Sequence, residues 1–425
     1  MTTDTTVLRL RGWKDPAIVG LALMALCAGF GQFGAVAALG AVAKSFGHTT
    51  HGGTLVQQAG LSGTQLGVGL AVLRLASLGG LPLSGLADRV GRRVMLIATC
   101  VVGLAFTVAA AASPGYWWFV VIFALGRPLL SATNALAAVG AAEETGSHDR
   151  AKAIALVVAG YGVGSGLTAI IDGPAESTLG FRGIFILAVV PLAAVFLIRR
   201  WLVESDRFTM DAAGAGDHPL PVIGAVGPAF RRRLLVVVVL VFAVGVITGP
   251  ANSFIFVYAQ NVLKLSGTVT AAMVVVAAVF GLAGLAVGRW LADHVGRRPT
   301  GAAAMVAMGV SGVFTYSGSR VALLVGYEIG ILAASTFAPA AGAFVNELFP
   351  TAVRASVAGW NVAGGVLGAV LGLLAFGALA QVGTRFDGLR ASSIIFLPVL
   401  VATVLFLALP ETKGREPEEM WPDRS

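Results

Sequence analysis

The sequence predicts an all-α membrane protein of twelve transmembrane helices in two homologous six-helix halves, with both termini in the cytoplasm. Three observations predict this fold: an apolar composition, twelve long apolar segments and a repeat of charged loop motifs. Of the 425 residues, 57% are hydrophobic and 12% are charged, and the mean hydropathy is +0.86. Because soluble domains carry about 25% charged residues, this composition indicates a polytopic membrane protein.

Twelve apolar segments have about 20 residues each, enough for a helix to cross a hydrocarbon core of about 30 Å. Helices are expected because every backbone amide in the hydrocarbon must find a hydrogen-bond partner within the protein. Predicted spans 1 to 12 cover residues 17–43, 62–84, 94–113, 116–141, 152–172, 183–202, 234–262, 268–288, 300–318, 321–345, 357–381 and 392–410.

Arginine and lysine are distributed unequally between the loops on the two sides of the membrane. The side with the termini carries 21 of the 29 basic residues and the opposite side carries six, while Arg74 and Arg127 lie within spans. By the positive-inside rule, this asymmetry predicts cytoplasmic termini and a multi-pass protein of the plasma (inner) membrane. It also accounts for the net charge of +8 without nucleic-acid binding, since the basic residues are divided among short loops.

A charged loop motif occurs once in each half of the chain. GLADRVGRR at residues 85–93 returns as GRWLADHVGRR at 288–298. Three pairs of acidic residues recur at offsets of 204 to 207, namely Asp88 and Asp293, Glu143 and Glu347, and Glu204 and Glu411. We therefore expect two homologous halves, 1–206 and 234–425, joined by a cytoplasmic linker at 207–233 that is rich in Gly, Pro and charge.

These motifs resemble those of the major facilitator superfamily over nearly the whole chain. GLADRVGRR after span 2 matches its signature loop, and the copy after span 8 strengthens the match. ELFPTAVR after span 10 and PETKG after span 12 are similar to the sugar-porter branch and its metabolite–proton symporter relatives. The resemblance implies a secondary transporter that alternates between inward and outward states, and we expect a monomer in the lipid bilayer.

The same resemblance implies a conformational latch built from the two signature loops. Asp88 would cap the start of span 11, since a carboxylate is stabilised at a helix N-terminus, and Gly91 would allow the tight turn between helices. For each arginine, the alternative is simple positive-inside topology. The expected latch residues are Asp88, Arg89, Gly91, Arg92, Glu143 and Arg150, with Asp293, Arg297, Glu347 and Arg354 in the second half.

Few ionisable side chains lie away from the cytoplasmic ends of the spans: Arg74 in span 2, Arg127 in span 4 and Glu328 in span 10, with Asp172 near the outer end of span 5. A charge at the bilayer centre costs roughly 2.5–3.5 kcal/mol by insertion scales, so such residues usually mark a functional site. Arg127 and Glu328 occupy nearly matching places in the two halves. We expect Glu328, and secondly Asp172, to carry the coupling proton, and Arg127 to bind substrate or hold Glu328 in one state.

The resemblance also implies that spans 1, 4, 7 and 10 line a central cavity, and transporters of this kind bind substrate near the bilayer midplane. Arg127, Ser131 and Asn134 are spaced i, i+4 and i+7, which places them on one helix face. The alternative is a static polar clamp between helices. The predicted substrate-binding residues are Arg127, Arg74, Gln32, Ser131, Asn134, Asn252, Phe256, Gln260 and Ser335.

No enzyme, metal or cofactor site is predicted. Cys27 and Cys100 have no metal or redox spacing, all five histidines fall in loops, and no nucleophile–base pair is visible. The glycine run GYGVGSG at Gly160–Gly166 lies in a span with no strand before it, which argues against nucleotide binding. Close packing through small residues explains it better.

The function most consistent with the sequence is proton-coupled uptake of a small polar or anionic metabolite, either a sugar or an organic acid. Proton-driven efflux of drugs or amphipathic compounds is the alternative, and a non-transporting membrane sensor is a remote one. The embedded Arg74 and Arg127 favour an anionic or hydroxyl-rich substrate over a lipophilic cation.

Overall fold

The computed structural model describes residues 11–47, 60–146, 149–204, 226–382 and 385–413. These residues are almost entirely helical, and β1 (Gln381–Val382) and β2 (Arg385–Phe386) are the only strands among them. The all-α prediction is therefore confirmed for the described part of the chain, apart from this short antiparallel pair.

The first run of helices comprises α1 (Pro16–Ala37), α2 (Leu39–Phe46), α3 (Gly63–Ala76), α4 (Gly80–Val90), α5 (Arg92–Ala109), α6 (Tyr116–Glu144), α7 (Arg150–Leu179), α8 (Arg182–Leu187) and α9 (Val189–Ile198). The second run comprises α10 (Pro228–Val257), α11 (Gly267–His294), α12 (Arg297–Thr315), α13 (Arg320–Leu348), α14 (Thr351–Leu379) and α15 (Gly388–Val399). A π-turn at Tyr258–Val262 extends α10, and a 3₁₀ segment at Leu400–Ala408 extends α15.

Ten helical segments of the described residues are long and apolar enough to cross a membrane, and they correspond to every predicted span except 6 and 9. Span 6 is the shorter apolar segment 182–198, which is interrupted between α8 and α9. Pro191 explains the interruption, because proline has no N–H to bond the carbonyl four residues earlier. Span 9 is the helix α12, whose hydropathy is lowered by the two arginines with which it opens.

The contacts within the chain define two compact units. The first comprises residues 1–37 and 79–220, and the second comprises residues 38–78 and 221–425. Helices α2 and α3 therefore group with the second unit, although the sequence repeat assigns them to the first half. Within that unit α3 packs closely on α14, because a Cβ at Gly67 would lie 2.6 Å from the carbonyl oxygen of Leu373.

The predicted packing role of the glycine run in span 5 is confirmed for Gly160 and Gly164, whereas a Cβ at Gly162 or Gly166 would meet nothing within 4 Å. Gly160 and Gly164 on α7 face the backbone of Ala22 and Leu26 on α1 so closely that a Cβ on either glycine would collide with a carbonyl oxygen. Small residues bring the two backbones together. This contact fixes α1 against α7 and so places Gln32 of α1 beside the polar side chains described next.

The predicted linker at 207–233 lies outside the described residues as far as residue 225. Its last residues begin α10, which starts with Pro228 at a position where proline is favoured. Arg231, Arg232 and Arg233 therefore lie in the first turns of the span-7 helix rather than before it.

Candidate functional site

In the first unit, a buried arginine contacts α1 from α6. Arg127 is 9% exposed and Gln32 is 5% exposed. The Nη1 atom of Arg127 donates a hydrogen bond of 2.7 Å to the backbone carbonyl oxygen of Gln32. A guanidinium is a planar fork of five N–H donors that stays charged. The structure therefore brings together Gln32 and Arg127, both predicted from the sequence.

A third polar residue at this place, Tyr161 of α7, is not among the predicted site residues. Its hydroxyl donates to Oε1 of Gln32 at 3.4 Å. Tyr161 stands inside the glycine run, which the sequence attributes to packing alone. An aromatic residue with a polar tip, placed between glycines in a membrane span, was the available signal.

Ser131 and Asn134 share α6 with Arg127 and are half-buried. Ser131 packs on α4, since its Cβ lies only 3.0 Å from the point where a Cβ on Gly80 would stand. Asp172 is 4% exposed and lies in the C-terminal part of α7, about three helical turns beyond Tyr161.

In the second unit, Arg74 and Asn252 line one cleft. Its volume is about 460 Å³, and its walls come from α3, α10 and α14. Thr248 of α10 and Asn361 of α14 add two polar side chains to the lining. The Oδ1 atom of Asn361 is buried and has no hydrogen-bond partner among the described residues. Arg74 and Asn252, again both predicted, thus line one pocket with Thr248 and Asn361, two polar residues that the sequence did not indicate, and the rest of its lining is valine, alanine and glycine.

Glu328 occupies a different setting in the same unit. It is 9% exposed and lines a cleft of about 380 Å³ between α11 and α13 whose other lining residues are all apolar. Its Oε2 atom is buried and has no hydrogen-bond partner among the described residues. Burying a carboxylate without a partner is costly, so the side chain is available for a proton or a ligand.

The other predicted residues of this unit are held by neighbouring helices. Phe256 is 2% exposed within α10. Gln260, in the π-turn, donates from Nε2 to the hydroxyl oxygen of Thr270 at 3.3 Å. Ser335 packs on α11, since its Cβ lies only 2.7 Å from the point where a Cβ on Gly284 would stand.

The signature loop of the first unit is held by two carboxylates. Gly91 has φ +111°, which only glycine adopts readily, and it ends α4 just before α5 begins. Glu204 accepts hydrogen bonds from the backbone N–H groups of Arg92 at 2.9 Å and Arg93 at 3.2 Å. Arg92 also forms an ion pair with Glu143. The carboxylate of Glu204 therefore satisfies free amides at the N-terminus of α5.

The second unit repeats this geometry. Gly296 has φ +130°, and Glu411 accepts from the backbone N–H groups of Arg297 at 2.9 Å and Arg298 at 3.0 Å. Glu411 accepts two further N–H groups, from Thr412 and Lys413. Burial alone would raise the pKa of Glu411, but these four donors favour the ionised form and lower its pKa below the ordinary value.

Arg297 joins this second loop to α13. Its Nη2 atom lies 3.1 Å from Oε1 of Glu347 and 3.4 Å from Oδ1 of Asp293. Arg354 donates from Nη2 to the carbonyl oxygen of Phe349 at 3.3 Å. The capping glutamates Glu204 and Glu411 were visible in the sequence only as markers of the repeat.

Two latch residues of the first half cannot be placed. The side chains of Asp88 and Arg150 lie outside the described residues, although the backbone of each is helical. Arg89 is exposed at the end of α4. The predicted contact of Asp88 with the start of span 11 therefore stays a prediction.

Comparison with known families gives a match over most of the chain. The model of the Major Facilitator Superfamily matches residues 21–314 and 274–423. Among curated proteins, a probable 4-methylmuconolactone transporter of Cupriavidus pinatubonensis is 29% identical over 374 residues, covering 84% of each chain. The niacin transporter NiaP of Acinetobacter baylyi is 24% identical over 428 residues, covering 86% of this chain and 90% of its own.

Solved structures with the same fold include two transporters. The inward-open xylose transporter XylE of E. coli has a TM-score of 0.69 and 19% identity, and the match covers 95% of this chain and 98% of XylE. The nucleoside transporter NupG has a TM-score of 0.72 and 14% identity, covering 92% and 98%. At these identities the likeness concerns the fold alone.

Proposed function

The chain belongs to the Major Facilitator Superfamily, and from that premise we propose that it takes up a small organic acid together with protons. It is a membrane transport protein, and alternating access is the mechanism we assign to it.

The observation that carries the proposal is the buried Arg127. Its guanidinium stays charged at any physiological pH, so it cannot exchange the coupling proton. A carboxylate can meet a guanidinium through two parallel hydrogen bonds, which is the geometry that arginine recognises best. An anionic substrate would meet this guanidinium beside the carbonyl of Gln32, to which Nη1 of Arg127 donates, and the hydroxyl of Tyr161 can add a neutral contact.

A second anion-binding element is the cleft of Arg74, Thr248, Asn252 and Asn361 in the other unit. Its volume of about 460 Å³ falls within the range of small-molecule pockets. The buried amide of Asn361 has a spare hydrogen-bonding atom, and hydroxyl or amide groups commonly orient a substrate beside a charged residue. We assign this cleft to substrate recognition and not to proton transfer.

The names of the relatives point the same way. One is named for 4-methylmuconolactone and another for niacin, and both compounds are organic acids. We therefore favour an organic acid over a sugar for this chain, although XylE has a similar fold.

Proton coupling is assigned to Glu328. Its side chain is nine-tenths buried and its Oε2 atom is without a hydrogen-bond partner among the described residues. A carboxyl group in such a place can be neutral when it faces lipid and apolar side chains, and ionised when water or a cation reaches it. Asp172 is the second candidate, since it is also buried.

The remaining elements of the proposal concern topology and the latch. We propose twelve spans, with α12 and the α8–α9 segment crossing the membrane, and cytoplasmic termini in the inner membrane. The paired loops at Arg92 and Arg297 would hold one conformational state through their contacts with Glu143 and Glu347.

Uptake into proteoliposomes tests the proposal. Purified protein is reconstituted, a pH gradient is imposed, and the entry of labelled niacin, 4-methylmuconolactone, xylose and uridine is followed. We expect accumulation of one of the acids that collapses when a protonophore removes the gradient. Accumulation of xylose alone would contradict the organic-acid assignment, and substrate expulsion under the same gradient would indicate efflux.

A further inference from the structure

The cleft beside Glu328 lies between α11 and α13, next to a stretch where glycines bring the two helices into backbone contact. Toward one end, Gly284 and Gly288 meet the backbone of Leu332 and Thr336, and the Thr336 hydroxyl donates to the carbonyl of Gly284 at 3.2 Å. Larger side chains replace glycine toward the other end. Near Glu328, residues of both helices line an open space of about 380 Å³.

The walls of this space are apolar. Met273, Val276 and Phe280 line it from α11, and Leu324 and Ile329 line it from α13. Among the described residues that line it, Glu328 is the only polar or charged one. A ligand that fits these walls must be mostly hydrophobic, with a polar group at one point only.

The chemistry of that one point selects the ligand further. A carboxylate accepts hydrogen bonds and carries negative charge, and Oε2 of Glu328 has no donor among the described residues. A lipid chain would cover the apolar walls and leave this oxygen unsatisfied. A protonated amine supplies both a donor and the opposite charge, and charge-assisted hydrogen bonds are the stronger kind.

We propose that the cleft between α11 and α13 binds a lipophilic monoamine, with its ring against the apolar walls and its ammonium group on the carboxylate of Glu328. This ligand class differs from the organic acid assigned to transport. Because a bound amine occupies the carboxylate, it should also inhibit uptake. That consequence rests on the proposed coupling role of Glu328, whereas the binding itself does not.

A matched pair of probes tests the binding. Protein in nanodiscs is titrated with 1-naphthylmethylamine and with the neutral 1-naphthylmethanol. The amount of each probe that partitions into the lipid of empty nanodiscs is subtracted. The amine should bind at least about tenfold more tightly than the alcohol, because only the amine forms a charge-assisted hydrogen bond. Equal affinities, or no saturable amine binding, would overturn the proposal.

Three variants locate the site. Glu328→Gln keeps the shape and should reduce amine affinity to that of the alcohol. Ala272→Phe places a ring in the cleft, since Ala272 is a lining residue, and should abolish binding of both probes. Val279→Phe adds the same ring on an exposed face of α11 outside the lining and should leave binding unchanged. Amine binding that survives both Glu328→Gln and Ala272→Phe would place the ligand elsewhere and refute the assignment.

Discussion

The two halves of the sequence are alike at their signature loops and unlike in the charged residues of their apolar helices. In each loop a glycine with positive φ precedes a helix whose first amides are bonded by a glutamate, Glu204 in one half and Glu411 in the other. Inside the spans, the first half has Arg127 bonded to the carbonyl of Gln32, and the second has Glu328 in an apolar cleft.

We interpret the repeated loops as structural features and the differing interior charges as functional ones. The loops repeat because a helix start needs partners for its free N–H groups whichever half contains it. The interior charges have no such requirement, and each costs free energy in the membrane. We interpret them as a division of labour, in which a permanent cation binds the anionic substrate and a carboxyl group carries the proton.

Removing the cation should have the largest effect. Arg127→Ala should lower uptake by about 30-fold or more, because losing one partner of a buried charged contact costs about 2–5 kcal/mol. Arg127→Lys should be nearly as impaired, since lysine keeps the charge and loses the planar fork. Initial uptake rates in proteoliposomes measure both.

Arg182→Lys is the matched control for Arg127→Lys. Arg182 also donates to backbone carbonyl oxygens, those of Ala111 and Ser113, but at the end of a span. The Arg182→Lys variant should retain near-normal uptake. Full activity of Arg127→Lys would mean that local charge alone matters, and would exclude a specific contact with the substrate.

Removing the tyrosine hydroxyl should have a smaller effect on the same site. Tyr161→Phe deletes the 3.4 Å hydrogen bond to Gln32 and keeps the ring. A neutral hydrogen bond contributes about 0.5–1.5 kcal/mol, so we expect a roughly 2- to 10-fold rise in KM with normal expression. An unchanged KM for the transported acid would remove Tyr161 from the site.

The two signature loops should differ only slightly in how much their capping glutamates contribute to thermal stability. Glu411 accepts four backbone N–H groups, whereas Glu204 accepts two among the described residues. Glu411→Gln should therefore lower thermal stability more than Glu204→Gln, with a cost of about 1 kcal/mol typical of a lost helix cap. Unfolding in detergent, followed by tryptophan fluorescence, measures the two midpoints, and a larger loss for Glu204→Gln would contradict the comparison.

The effect of Glu411→Gln should also depend on pH. Because the folded protein lowers the pKa of Glu411, its stabilisation is complete above the unfolded pKa of about 4.3 and is lost as pH falls through the lower folded value. The stability difference between wild type and variant should thus be constant from pH 7 to about 5 and narrow in stronger acid. A difference that widens in acid would mean that the carboxylate is not the stabilised form.

The spans and the repeat were readable from the sequence because hydropathy and motif spacing are local signals. Hydrogen bonds between residues far apart in the sequence could not be predicted in this way. Glu204 bonds an amide 112 residues away, and no periodicity indicates which helix start a distant carboxylate meets. Tyr161 was not predicted as a site residue because it stands in a glycine run, and helix packing already accounts for the glycines. The interruption of span 6 could have been predicted, because Pro191 is visible in the sequence.

The central claim is that Glu328 couples proton movement to transport, and one variant tests it most directly. Glu328→Gln mimics the protonated side chain. With the labelled acid that wild type transports best, it should fail to accumulate substrate under an imposed pH gradient and still exchange internal for external substrate across equilibrated membranes. If Glu328→Gln concentrates the acid against its gradient as wild type does, Glu328 is not the coupling site, and Asp172→Asn becomes the variant to measure.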